Sequence, residues 1–152
     1  MIGKLSDKEV EMVLAHNFLG RIGCHDEGKT YVVPVTYVYD GKDIIIHSMP
    51  GTKIQMMRRN PQVCFEVDEV KDFANWKSVI LQGEYQEYSN VRDRYRAVRY
   101  FVDRTLSLKI SETAVPPEGF DEENYSPVNY NDARPVIYRI VILEKSGRYE
   151  KE

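Results

Sequence analysis

Cysteine is scarce in this 152-residue chain: Cys24 and Cys64 are the only two, and they form no Cys-x-x-Cys pair. A disulfide framework or thiolate metal knuckle therefore has nothing to build on, and both thiols are expected to be reduced and buried. Histidine is equally thin, since His16, His25 and His47 fall at no metal-ligand spacing, so no metal is expected. There is no excess of positive charge. With 21 Lys+Arg against 24 Asp+Glu the net charge is −3, and no basic tail exists to neutralise phosphates, so no nucleic-acid partner is expected. Apolar runs such as Ile44–Ile46 and Val79–Leu81 are far shorter than the roughly twenty residues of a membrane-spanning helix. The opening Met-Ile-Gly-Lys-Leu-Ser-Asp-Lys has no apolar signal core, so the expectation is a cytoplasmic protein with no membrane partner. Gly20-Arg21-Ile22-Gly23 matches neither the phosphate loop nor the dinucleotide fingerprint, and no serine or cysteine sits in a recognisable nucleophile motif.

What remains is a globular composition, 42% hydrophobic and 30% charged, at a length suited to one domain spanning residues 1–152. Eleven tyrosines against five phenylalanines and one tryptophan suggest surfaces that are apolar on one side and wet on the other. Ser6 and Glu9 form a capping box ahead of Val10, Val13 and Leu14 at helical spacing, which predicts a helix over Ser6–His16. Strands follow at Phe18–Cys24 and Thr30–Tyr39, then a two-residue hairpin at Asp40-Gly41 and a strand over Asp43–His47. Met49-Pro50-Gly51-Thr52 suits a type II turn, which requires a positive φ at Gly51. Thr52 and Gln55 suggest a second capping box, opening a helix that stops near Asn60-Pro61. The alternation of Val63, Phe65 and Val67 predicts a strand, as does Trp76–Tyr88. Val91, Tyr95, Val98 and Val102 then mark an amphipathic helix. Ser111–Arg134, with Pro116-Pro117, Gly119 and Pro127, reads as a long loop, and Pro135–Leu143 as the last strand. Six strands joined by tight antiparallel turns describe a mainly β fold, a small antiparallel barrel with short helices over its openings.

Two segments carry chemistry. From His47 to Lys53 a strand delivers an imidazole and the Ser48 hydroxyl, the chain turns, and a helix opens with Thr52 and Lys53 in its first turn. Free N–H groups, the helix dipole and an ammonium suit a phosphate monoester there, although an ordinary hairpin with a solvated lysine has the same spacing. In Tyr31–Tyr39 both faces are apolar or aromatic, and Pro34 removes a ladder donor, marking an edge or a break in pairing. Such a strand can meet a flat heterocycle or a second subunit. Glu66, Asp68, Glu69 and Asp72 could do acid/base work or lie solvated, and the arginines at 92, 94, 96, 99 and 104 suit a solvated helix face or a binding patch.

Taken in order, Gly20–Gly23, Tyr31–Gly41, His47-Ser48 with Gly51-Thr52-Lys53, Asn60–Asp68, and Trp76–Val79 with Gly83 resemble the pyridoxamine 5′-phosphate oxidase-like flavoproteins, nearest the branch of the nitroimidazole-resistance proteins. The resemblance covers residues 1–105 and implies a split β-barrel that dimerises and binds FMN between subunits. It further implies that Val33, Pro34, Val35 and Thr36 run along the isoalloxazine ring. His47, Ser48, Thr52 and Lys53 would surround the phosphate and ribityl end, while Trp76 and Ser78 reach the flavin or the dimer contact. His47, by the same resemblance, is the candidate catalytic residue. At the C-terminus the chain departs from the oxidases proper, because Ala133-Arg134-Pro135-Val136 lacks their closing tryptophan and arginine pattern. The expectation is thus an FMN-binding homodimer, with FAD the less favoured cofactor, that reduces a small aromatic or nitroaromatic molecule. The alternative is a split barrel that holds flavin or haem for storage or sensing without turnover.

Overall fold

The computed structural model describes residues 1–107 and 135–152; the loop expected at Ser111–Arg134 lies outside them. The elements run β1 (Ile2–Lys4), α1 (Asp7–His16), β2 (Leu19–Asp26), β3 (Lys29–Thr36), β4 (Val38–Tyr39), β5 (Asp43–Ser48), α2 (Thr52–Arg59), β6 (Gln62–Asp72), β7 (Asn75–Glu87), α3 (Val91–Ser107) and β8 (Val136–Glu150). All the ladders among the described residues are antiparallel, in the order β3-β2-β6-β7-β8-β5-β4, with β1 on the far end of β8. The sheet curls until β3 comes against β5 with no ladder between them, which is the split in the barrel. Among the described residues eight strands stand where six were expected. The short β1 is one addition, and the other arises because the strand expected over Thr30–Tyr39 breaks at Tyr37 into β3 and β4.

That break has a local cause. The Tyr37 N–H donates to the Phe18 carbonyl at 2.9 Å, and the buried phenol donates to the Leu14 carbonyl at 2.8 Å, so Tyr37 serves the barrel interior and not the ladder. Pro34 does not interrupt β3, but it does lie on the edge strand of the sheet, where its missing N–H costs no ladder bond. The hairpin after β4 turns on Gly41-Lys42, with Gly41 at φ 91° and the Asp40 carboxylate accepting from the Lys42 and Asp43 N–H groups.

Val63, Phe65 and Val67 of β6 face inward with Val79 and Leu81 of β7, as their alternation predicts. The Ser6–Glu9 capping box forms in full and lets α1 lay Val10, Val13 and Leu14 over one opening of the barrel. Each such buried side chain contributes roughly 1.5–3 kcal/mol by removal from water. A second apolar layer, including Val38, Ile45 and Ile137, lies outside the barrel and is covered by α3. The buried face of α3 is Arg94, Ala97, Val98 and Phe101; of the expected stripe, Val98 is buried and Val102 packs partly against the same layer, whereas Val91 and Tyr95 are exposed. The last strand runs seven residues beyond Leu143. No described helix is long and apolar enough to cross a membrane.

Candidate functional site

The end of β5 and the start of α2 bring His47, Ser48, Thr52 and Lys53 together, as the sequence suggested. The local geometry differs from the expected turn. Gly51 has φ −179°, an extended backbone, so no type II turn forms there, and it is itself the N-cap of α2. Thr52 is therefore the first helical residue, and the Gln55 N–H donates to the Gly51 carbonyl, so the expected Thr52–Gln55 capping box is absent. With no side chain capping α2, its first-turn N–H groups have no acceptor within the helix. Among the described residues no atom lies within 4 Å of where a Cβ on Gly51 would stand.

Lys53 is partly buried and makes no ion pair among the described residues. Burial pushes its ammonium pKa down, opposed weakly by the nearby Cys24 thiol. His47, also partly buried, sits with its ring 5.5 Å from that of Phe101 on α3, tilted by 49°. Burial first, then the positive charge of Lys53, lowers the imidazole to about 4. The imidazole is consequently neutral at physiological pH. Ser48 donates its hydroxyl to the Met49 carbonyl at 3.0 Å, and Thr52 is exposed.

The other end of α2 is fastened. Arg58 binds Glu87 of β7, whose carboxylate also accepts the Tyr85 phenol at 2.6 Å. Arg59 pairs with Asp26 at 2.6 Å, and the Asn60 side-chain amide donates to the His25 carbonyl at 2.7 Å. These ties and the two arginines in the last turn hold the helix so that its positive end faces the open turn. Sequence reasoning missed them, because nothing in the spacing of Arg58 or Glu87 announces a contact across the sheet.

On β3, Pro34 and Thr36 are exposed, Val33 is partly buried, and Val35 points into the barrel. The strand lies against β5, the strand that leads into the turn. Trp76 and Ser78 are elsewhere. Tyr138, one place along from the partner of His47, pairs with Glu87, whereas Trp76 pairs with Glu150 and Ser78 with Arg148. Trp76 is eleven residues from Glu87, roughly 36 Å of strand, so a single chain does not bring it to the turn.

The remaining candidates have structural partners. Arg21 lies 3.4 Å from both Glu66 and Asp68, and burial followed by the Asp68 charge raises the Glu66 carboxyl. Glu69 accepts from Asn17, and Asp72 ties the β6–β7 hairpin through Ala74 and Asn75. Arg94 reaches the Pro135 carbonyl and Arg104 the Ala15 carbonyl, each at 2.7 Å, so two of the α3 arginines knit the fold. Cys24 is buried and Cys64 partly so, both unbridged.

Comparison with known proteins addresses the whole chain. The family model of pyridoxamine 5′-phosphate oxidase matches residues 6–148. A FAD-binding protein from Mesorhizobium loti superposes with a TM-score of 0.78 at 30% identity, covering 100% of this chain and 98% of that one. A candidate 5-nitroimidazole antibiotic resistance protein from Bacteroides thetaiotaomicron shares the fold at a TM-score of 0.73 and 16% identity, over 98% and 87% of the two chains. An uncharacterized protein of Rhizobium meliloti (strain 1021) is 40% identical over 83 residues, and that match spans 55% of each chain. With a family match reaching from the first helix into the last strand, and a whole-length relative on the same split barrel, the chain belongs to the pyridoxamine 5′-phosphate oxidase family.

Proposed function

We propose that the chain binds FMN at the β5–α2 turn and acts as an oxidoreductase on a small aromatic or nitroaromatic compound. The observation that carries this reading is Lys53: a partly buried ammonium with no ion-pair partner among the described residues, in the first turn of an uncapped helix. Such a charge gains most from an anion that also accepts the helix N–H groups, which a phosphate monoester does. Membership of the family and the FAD bound by the Mesorhizobium relative support a flavin. One cation and one helix terminus suit the single phosphate of FMN better than the two of FAD. When bound, the flavin supplies the two-electron chemistry, and this chain's residues bind and orient it. The edge strand Val33–Thr36 offers backbone groups to the ring, and His47, held neutral, lines the same turn.

The unit that binds is a homodimer. Trp76 and Ser78 lie too far along β7 to meet their own chain's turn, so they reach a flavin only from a second copy. The outer sheet face offers the contact: Leu19 on β2, Val32 on β3 and Ile80 on β7 are 45%, 62% and 44% exposed. Titration of FMN and riboflavin against Lys53→Ala tests the site. FMN affinity falls by about ten- to a hundredfold, the range for losing a charge-assisted contact, while riboflavin affinity changes little. Equal losses for both ligands would remove the phosphate assignment.

A second reading, flavin or haem held without turnover, is favoured by the same His47. A neutral buried imidazole has no proton to deliver at neutral pH, and it is the form that binds haem iron. Anaerobic addition of NADH or NADPH separates the two. An enzyme's flavin bleaches and recovers its colour on adding a nitroimidazole, whereas that of a storage or sensing protein stays oxidised.

A further inference from the structure

The helix α3 crosses the outer face of the sheet, and its Phe101 meets His47. One turn of helix earlier, Ala97 borders a cleft of about 500 Å³ that runs from the β4–β5 hairpin at Asp40 to Tyr88, just past the end of β7. That volume is within the range of small-molecule sites. Its lining includes no residue of the β5–α2 turn, of β3 or of the Trp76 end of β7, so it is separate from the flavin reading. The floor is apolar, made by the buried Ile45 and Ala97. The two rings beside it are held in place. The Tyr88 N–H donates to the Ile137 carbonyl at 3.2 Å, and the Arg139 guanidinium stands 5.7 Å from the centre of its ring. The Tyr100 phenol donates to the Tyr39 carbonyl at 3.2 Å.

Charges of both signs line this cleft, and their partners sort them. Arg139 is held by Asp43 at 3.2 Å and by Gln86 at 2.8 Å, and Glu87 is held by Arg58 and Tyr85. Asp93 and Arg96 are different. They stand three residues apart on α3, which puts them on one face of the helix, yet neither forms an ion pair among the described residues. Across the cleft, Asp40 spends Oδ1 on the Lys42 and Asp43 N–H groups, which leaves Oδ2 for a ligand. The carboxylates converge on Tyr88: burial pushes its phenol up to about 12, with Arg139 opposing and Asp43, Asp40 and Asp93 adding to the rise. An unmatched anion and an unmatched cation side by side favour no ligand of a single sign. They match a ligand that carries both charges, one against each. We propose that this cleft is a second ligand site, which takes a zwitterionic amino acid with an aromatic side chain. The ammonium is received by Asp93 and Asp40, the carboxylate by Arg96, and the ring by Tyr88 and Tyr100.

Titration of the full chain with L-phenylalanine tests the site. In a proton–nitrogen spectrum the amide resonances of Asn90, Asp93 and Ala97 shift saturably. Phenethylamine, which lacks the carboxylate, and hydrocinnamate, which lacks the ammonium, each bind about fivefold more weakly, as for the loss of one partly exposed charge contact. Asp93 and Arg96 are exposed, so both can be changed without disturbing the core. Asp93→Asn narrows the preference over hydrocinnamate and keeps that over phenethylamine, whereas Arg96→Gln does the reverse. Tyr100→Leu weakens all three compounds. Saturating FMN leaves the affinity for L-phenylalanine as it is, and a chain that failed to bind FMN would still give these results, so failure of either reading is visible separately. The proposal is overturned if L-phenylalanine moves none of these amides in folded protein, if the three compounds bind alike, if the two charge variants do not shift selectivity in opposite directions, or if FMN displaces L-phenylalanine.

Discussion

His47 and Lys53 are neighbours whose charges compete, and burial decides in favour of the lysine. An imidazole at about 4 in the folded chain and near 6.5 when unfolded binds fewer protons folded than unfolded between those values. Stability is therefore fully present above about pH 6.5 and declines as the pH falls from there toward 4. Urea unfolding from pH 7 to pH 4 should show the wild type losing about 3 kcal/mol more than His47→Leu, the order expected for a shift of this size. The imidazole C–H resonances of His47 should titrate near pH 4 and move upward in Lys53→Ala, where the repelling ammonium is gone. If His47 titrates near 6.5 in the folded protein, burial and Lys53 do not hold it neutral. Glu87 is the other residue with a consequence beyond its own position. It joins Arg58 and Tyr85, so Glu87→Gln should loosen α2 and weaken FMN about three- to tenfold with no direct contact to the ligand, checked by the same titration.

Among the elements, β7 and β8 form the longest ladder, and their register shifts at Gly83. A Cβ on Gly83 would stand 2.4 Å from the Val141 carbonyl oxygen, a backbone atom that cannot swing away. Gly83→Ala should cost about 2–4 kcal/mol by chemical denaturation, whereas Ser6→Ala, which removes only the α1 cap, should cost about 1 kcal/mol. The contrast shows what was legible beforehand. Ser6 and Glu9 act within one turn of each other, so their role could be read from spacing, as could the inward alternation of Val63, Phe65 and Val67. The second half of β8 could not. Its stretch Glu144–Glu150 looks like a polar tail because its inward residue there is Gly147, and Leu5 and Val10 of the opening segment fill the space a side chain would occupy. The first half of the α3 stripe was misread for a related reason, since Arg94 turns inward to a carbonyl that follows it by some forty residues of chain, while Val98 and Val102 do face the packed layer. At the candidate site the grouping of His47, Ser48, Thr52 and Lys53 around one turn was legible from their spacing, but the uncapped start of α2 and the ring of Phe101 over His47 depend on contacts that no local pattern encodes.

For the molecule as a whole, the proposed shared site ties dimerisation to flavin binding, because Trp76 and Ser78 lie far along β7 from the β5–α2 turn. Ile80→Arg places a charge on the outer sheet face, and sedimentation velocity should then show monomer while FMN affinity falls in parallel. A monomeric variant that keeps its full affinity would refute the shared site. The sheet that would join two copies also carries a hazard, because among the described residues β3 ends it with one side unpaired. Unpaired strands recruit others of their kind, above all while a chain is refolding at high concentration. Pro34 sits midway along β3 and breaks the row of N–H donors that an incoming strand needs. The residue that leaves the edge open to a flat ligand thus also acts as a guard against fibril-like stacking, and a Pro34→Val chain would be expected to fold to the same barrel yet lose yield to aggregates on dilution from denaturant.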